Sequence, residues 1–145
     1  MPNRIGLLIH YLACFKAGLV ITPLNYRYTF REIDHALEVS GASVLIAHAE
    51  RDEDLASSRL VPDLSHGVII YGAEAEGGVR FEDLISGPVP ERPFSLSDPD
   101  SAAAIFFTSG STGPPKGVTH SNESLRWMIA SAGAAFELTA DGRRP

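Results

Sequence analysis

An α/β fold of alternating helices and short strands is predicted from three observations. Apolar residues recur at helical spacing in some segments and gather into short β-branched runs in others; the two kinds of segment alternate; and helix starts and stops carry recognisable capping residues. Ile5, Leu8, Leu12, Phe15 and Leu19 stand three and four apart, which places them on one stripe of an amphipathic helix. The same stretch loosely imitates a secretion signal, but His10 and Tyr11 interrupt its apolar run and Lys16 follows too soon. It therefore reads as a helix. No run is long enough to span a bilayer.

Val20 to Leu24, ended by Pro23 and Asn25, reads as a buried strand or the approach to one. Thr29-Phe30-Arg31-Glu32 is a capping-box pattern, so a helix is expected from about Phe30 to Val39, with Ile33, Ala36 and Leu37 facing one way. Gly41 stands where a left-handed stop is wanted. Val44 to Ala47 is a second strand. The acidic run Glu50 to Asp54 suits the positive end of a solvated helix; a metal site is the sharper but less favoured reading. Val68 to Tyr71 is a third strand, Gly72 to Gly78 a loop, and Phe81 to Ile85 a short helix closed by Gly87-Pro88. Pro88, Pro90, Pro93 and Pro99 then make residues 88–99 an extended connector, dividing an α/β unit over 1–87 from a strand, loop and helix over 100–145.

Composition bounds the function. A chain of 145 residues, 44% hydrophobic and 21% charged, suits a globular domain rather than a disordered segment. A net charge of −6 argues against nucleic acid or anionic lipid as a partner, though it permits one local phosphate site. The single cysteine, Cys14, excludes an internal disulfide and fits a reducing cytoplasm. On an apolar helix it reads as a buried, inert thiol rather than a nucleophile. The five histidines show no metal-ligand spacing. Trp127, Met128 and Phe136 read as core, and Asn122-Glu123-Ser124 as a chance sequon.

The chemistry lies after the connector. Ala102 to Phe107 is an apolar strand that runs into Thr108-Ser109-Gly110-Ser111-Thr112-Gly113-Pro114-Pro115-Lys116-Gly117, with four hydroxyls, three glycines and one lysine in ten residues. Gly110 and Gly113 let successive amides point into one concavity, the hydroxyls of Thr108, Ser109, Ser111 and Thr112 can donate to phosphate oxygens, and Lys116 adds a point charge. Such a loop suits pyrophosphate. It is not a Walker loop, because Gly117 rather than a hydroxyl residue follows the lysine, and the glycine spacing fits neither a dinucleotide loop nor a nucleophile elbow. The plainer alternative is a Ser/Gly hairpin, since Gly117-Val118-Thr119 looks like a returning strand.

Phe107 to Val118 resembles the phosphate-loop signature of the adenylate-forming superfamily, which includes acyl-CoA synthetases, luciferase-like enzymes and peptide-synthetase adenylation domains. Thr119-His120-Ser121-Asn122 resembles the family's step from loop into helix. Upstream, Leu12 to Arg27, with Ala17-Gly18 and Thr22-Pro23-Leu24-Asn25, and then Thr29 to Ala47, are similar to its preceding helices and strands. The resemblance implies that the chain is an incomplete portion of the large N-terminal domain of an adenylate-forming enzyme. Such an enzyme joins a carboxylic acid to ATP as an acyl-adenylate, releases pyrophosphate, and passes the acyl group to a thiol such as CoA. By the same resemblance, Thr108, Ser109, Gly110, Ser111, Thr112, Gly113 and Lys116 would hold the β- and γ-phosphates and Thr108 would contact Mg²⁺; the resemblance also puts a histidine at His120, for which helix entry or packing stands beside a substrate role.

The family's aromatic-Gly-x-Thr-Glu segment, ribose aspartate, hinge and lysine-bearing C-terminal domain have no counterpart after Asn122. The expectation is therefore a fragmentary adenylating domain, inactive alone, completed by the rest of an enzyme or by a complementary chain. An acyl-CoA ligase for fatty or aromatic acids is the first choice. A peptide-synthetase domain and a non-catalytic Mg-ATP-binding remnant are the alternatives.

Overall fold

Residues 3–72, 79–88, 98–108 and 113–136 are described by the computed structural model. Helix α1 spans Ile5–Ala17 and ends at Gly18. Its predicted apolar stripe does not enter a core. Ile5 is 77% exposed, Leu8 59% and Leu12 53%, while the contact side carries Gly6 and Cys14. Helical spacing shows which residues share a face; it does not supply the element that must cover that face.

Helix α2, Phe30–Ser40, begins and ends as its local chemistry dictates. The Thr29 amide and hydroxyl both donate to the Glu32 carboxylate at 2.8 Å, which holds that carboxyl below its usual range. Gly41 closes the helix at φ 61°, and its amide donates to the Leu37 carbonyl. Ile33, Ala36 and Leu37 are buried, as their shared face predicts.

Strands β1, Leu45–His48, β2, Val68–Tyr71, and β3, Val79–Arg80, form a parallel sheet in that order, with Leu45 opposite Val68 and Ile69 opposite Val79. Strand β3 had no signal beyond two residues. The acidic run divides into a 3-10 turn at Ala49–Arg51 and helix α3, Asp52–Ser57. Asp54 accepts from the Phe30 amide and pairs with Arg51, so it ties α3 to the start of α2. Ile33 and Leu37 pack with Ala47, Leu55 and Val61 in the larger core.

Helix α4, Phe81–Ser86, follows β3 directly. Most of the predicted 72–78 loop and 88–99 connector lies outside the described residues. Strands β4, Ala102–Thr108, and β5, Lys116–Ser121, form an antiparallel pair, and helix α5, Asn122–Ala135, follows without a break. The strand expected over Val20 to Leu24 shrinks to one parallel bridge, Ile21 to Ala104. Pro23 lacks the amide a longer ladder would need. Ile21, Cys14 and Ala104 nevertheless centre a second core, joining α1 to the hairpin. Trp127, Met128 and Phe136 do not reach it, at 67%, 50% and 54% exposed. Their assignment to the core is corrected accordingly.

Candidate functional site: the mouth of the β4–β5 hairpin

The antiparallel register sets Thr108 directly opposite Lys116, one step beyond Phe107 opposite Gly117. Strand β4 is anchored from below. Ala103 and Ala104 are almost fully buried, the Ile21 amide donates to the Ala103 carbonyl at 3.0 Å, and the Ile105 amide donates back to Ile21 at 2.8 Å. The far end of β4 therefore projects from a fixed base into solvent. Thr108 and Lys116 are both exposed there, a hydroxyl and an ammonium across one rung of the ladder. Among the described residues no carboxylate pairs with Lys116.

Of the seven predicted phosphate-binding residues, Thr108, Gly113 and Lys116 are described; Ser109, Gly110, Ser111 and Thr112 lie outside the described residues. The returning strand is present, so the loop does close a hairpin. That does not compete with anion binding, because the hairpin is what brings Thr108 and Lys116 to the same rung.

The sequence held no signal for two residues that organise this region. His35 of α2 places Nε2 2.8 Å from the Pro115 carbonyl, a contact between residues eighty positions apart. Asn122, noted in the sequence within a chance sequon and at the step into the helix, fastens the start of α5 to the chain entering β4. Its side-chain amide donates to Ser101 Oγ at 2.9 Å and to the Asp98 carbonyl at 3.2 Å. Local patterns cannot report either pairing, since each joins segments distant in sequence.

His120 packs its ring against Phe106, with centroids 5.1 Å apart, and its Nδ1 lies 3.4 Å from Ser124 Oγ. Of its predicted roles, these contacts favour helix entry or packing. Cys14 is buried, 3.4 Å from His10 Nδ1. Burial pushes the thiol up and the imidazole down, so both groups tend to neutrality rather than to a thiolate–imidazolium pair. A cavity of about 960 Å³ opens between α1 and α2, lined by Tyr11, Cys14, Ile21, Ile33 and Leu37 among others. Neither Thr108 nor Lys116 borders it, although Arg51 lies among its lining residues.

The profile of the AMP-binding enzyme family matches residues 1–143. The chain belongs to the AMP-binding enzyme family. Among AMP-binding relatives, feruloyl-CoA synthase of an Amycolatopsis species is 35% identical over 145 residues, an overlap of 98% of this chain and 26% of the relative. A medium/long-chain-fatty-acid–CoA/3-oxocholest-4-en-26-oate–CoA ligase of Mycobacterium tuberculosis is 32% identical, over 92% of this chain and 25% of its own length. The structure of ATP-bound MatB from Rhodopseudomonas palustris superposes with a TM-score of 0.78 at 25% identity, covering 94% of this chain and 26% of MatB. The chain thus spans about a quarter of the length of these relatives. Its α/β architecture is that of the N-terminal portion of adenylate-forming enzymes.

Proposed function

We propose that this chain supplies the ATP phosphate-binding loop of an AMP-forming acid–thiol ligase, which activates a carboxylic acid as its acyl-adenylate and transfers the acyl group to CoA. The observation that carries the reading is Thr108 facing Lys116 across the exposed mouth of a rigidly based hairpin. In this reading Thr108, Ser109, Gly110, Ser111, Thr112, Gly113 and Lys116 hold the β- and γ-phosphates. Hydroxyls and an ammonium held in place beforehand stabilise the charge that gathers on pyrophosphate as it leaves.

The donor set fits phosphate better than it fits a bare metal. Among the described residues no three His, Cys, Asp or Glu side chains gather to hold an ion. Mg²⁺ commonly keeps several waters and is held largely through substrate phosphates, which leaves the Thr108 hydroxyl as the contribution this chain would make. When bound, the ion would offset phosphate charge. The names of the relatives support an aromatic or a fatty acid as the substrate class. We take 1–87 as the α/β unit, 88–99 as a connector and 100–145 as the strand, loop and helix that bear the site. A reducing cytoplasm suits the lone cysteine; among the described residues no helix is long and apolar enough to cross a membrane.

A second reading, in which further polypeptide completes the adenylating fold, is favoured by the apolar residues bared on α1 and α5, such as Ile5, Leu8, Trp127 and Ile129. The test of the main reading is calorimetric titration of Mg-ATP into the chain and into Lys116→Ala, beside ATP–pyrophosphate exchange with a cinnamic-type acid and a fatty acid. Loss of one charge-assisted contact should weaken Mg-ATP roughly tenfold or more. Equal affinity in the two proteins would refute the site. Binding without exchange fits a portion that is inactive alone, and co-purification of a complementary chain would favour the second reading.

A further inference from the structure

We propose that His35 is a positioning residue for the Lys116 end of the phosphate loop. Its Nε2–H holds the Pro115 carbonyl, and so sets where the lysine leaves the hairpin. The inference rests on the phosphate-loop reading above and extends it to a residue on a different element.

Pro114 and Pro115 have no backbone N–H, so this stretch can be tied down through the backbone only by its carbonyls. The Pro115 carbonyl belongs to the same peptide unit as the Lys116 amide. It accepts from His35 Nε2 at 2.8 Å. A carbonyl only accepts, so the imidazole must carry its proton on Nε2.

The ring is itself held by the opposite strand. It meets Phe107 edge-on, with centroids 6.2 Å apart and planes at 64°, and Phe107 pairs with Gly117 in the ladder. One imidazole therefore brackets the Thr108–Lys116 rung, meeting Phe107 one residue behind it on β4 and the Pro115 carbonyl one residue ahead of β5. The next turn of α2 completes the seat. A Cβ placed on Gly117 would lie 2.9 Å from Ile105 Cγ2 and 3.1 Å from Val39 Cγ1, so the bare glycine lets β5 settle onto the helix. Two successive turns of α2 thus meet this segment, one by a hydrogen bond to Pro115 just before β5 and one by close approach to Gly117 within it.

The experiment uses the full chain with His35→Phe, which keeps a ring against Phe107 but loses the donor, and His35→Gln, whose amide can reach the Nε2 position. Long-range ¹H–¹⁵N spectra of the imidazole should show Nε2 protonated at neutral pH. A neutral Nδ1–H tautomer would overturn the contact without reference to any ligand. Amide exchange at Lys116 and Gly117 should quicken roughly three- to tenfold in His35→Phe, the effect of one neutral hydrogen bond, and return towards wild type in His35→Gln.

Mg-ATP affinity should follow the same order, reduced in the phenylalanine variant and restored by glutamine. If Lys116→Ala weakens Mg-ATP while His35→Phe does not, the positioning role is refuted although the phosphate loop stands. If neither substitution changes Mg-ATP affinity, the phosphate-loop reading itself has failed, and the positioning role with it. The spectra and exchange rates then judge only the His35–Pro115 contact.

Discussion

Asp34 Oδ1 accepts a hydrogen bond from Ser58 Oγ at 2.5 Å, joining the buried middle of α2 to the segment that follows α3. The same carboxylate accepts from the amides of Arg59 at 3.1 Å and Leu60 at 3.2 Å. Burial works to raise this carboxyl, but the donors outweigh it and hold it below its ordinary range. Replacing Asp34 by Ala leaves those donors without an acceptor and should cost about 2 kcal/mol in urea unfolding.

The same carboxylate sets an acid dependence. Its folded pKa is depressed, so the stability it contributes is present above the unfolded value near pH 4 and is lost as pH falls through the folded value. The stability gap between wild type and Asp34→Asn should be full at pH 7 and narrow below about pH 4. A gap that stays constant from pH 7 to pH 3 would contradict the assignment.

Thr29 caps α2 through its contacts to Glu32. Thr29→Ala should lower stability by about 1 kcal/mol, with Thr29→Ser close to wild type. Chemical denaturation of the three proteins side by side checks this. Equal midpoints would show that the cap contributes nothing measurable.

Gly117 tests the seat of β5 on α2. A methyl there must displace Ile105 or Val39, so Gly117→Ala should cost roughly 1–2 kcal/mol. Removing the Val39 methyls in Gly117→Ala/Val39→Ala should recover part of that loss, which makes the two substitutions less than additive. Strict additivity in thermal unfolding would place the strain elsewhere.

Cys14 should resist alkylation. It is buried, and burial raises its thiol, so little thiolate is presented at neutral pH. Iodoacetamide should modify it at least about tenfold more slowly than a free thiol, with the difference vanishing in urea. Rapid modification of the folded chain would show an opening between α1 and the hairpin.

Much of the fold was legible because its causes are local. Thr29 and Glu32 lie three residues apart, Gly41 follows the helix it ends, and β2 occupies the Val68 to Tyr71 run as read. The returning strand after Lys116 was visible in Gly117-Val118-Thr119. Covering partners were not legible. The α1 stripe and Trp127 are apolar whether or not another element packs on them, so pattern alone could not tell that both stand exposed, and it assigned Trp127 to a core it does not enter.

From the sequence alone came the alternation of elements, the caps, the family resemblance and the residue types of the hydroxyl- and glycine-rich loop, since each is written within a short window of chain. Only the tertiary structure set Thr108 across from Lys116, turned Asp34 into the acceptor for Ser58, and brought His35 to Pro115. The reason is physical. A hydrogen bond or ladder pair between distant segments depends on how packed elements place two backbones within about 3 Å of donor–acceptor contact. Neither partner carries a mark of the other in its own neighbourhood.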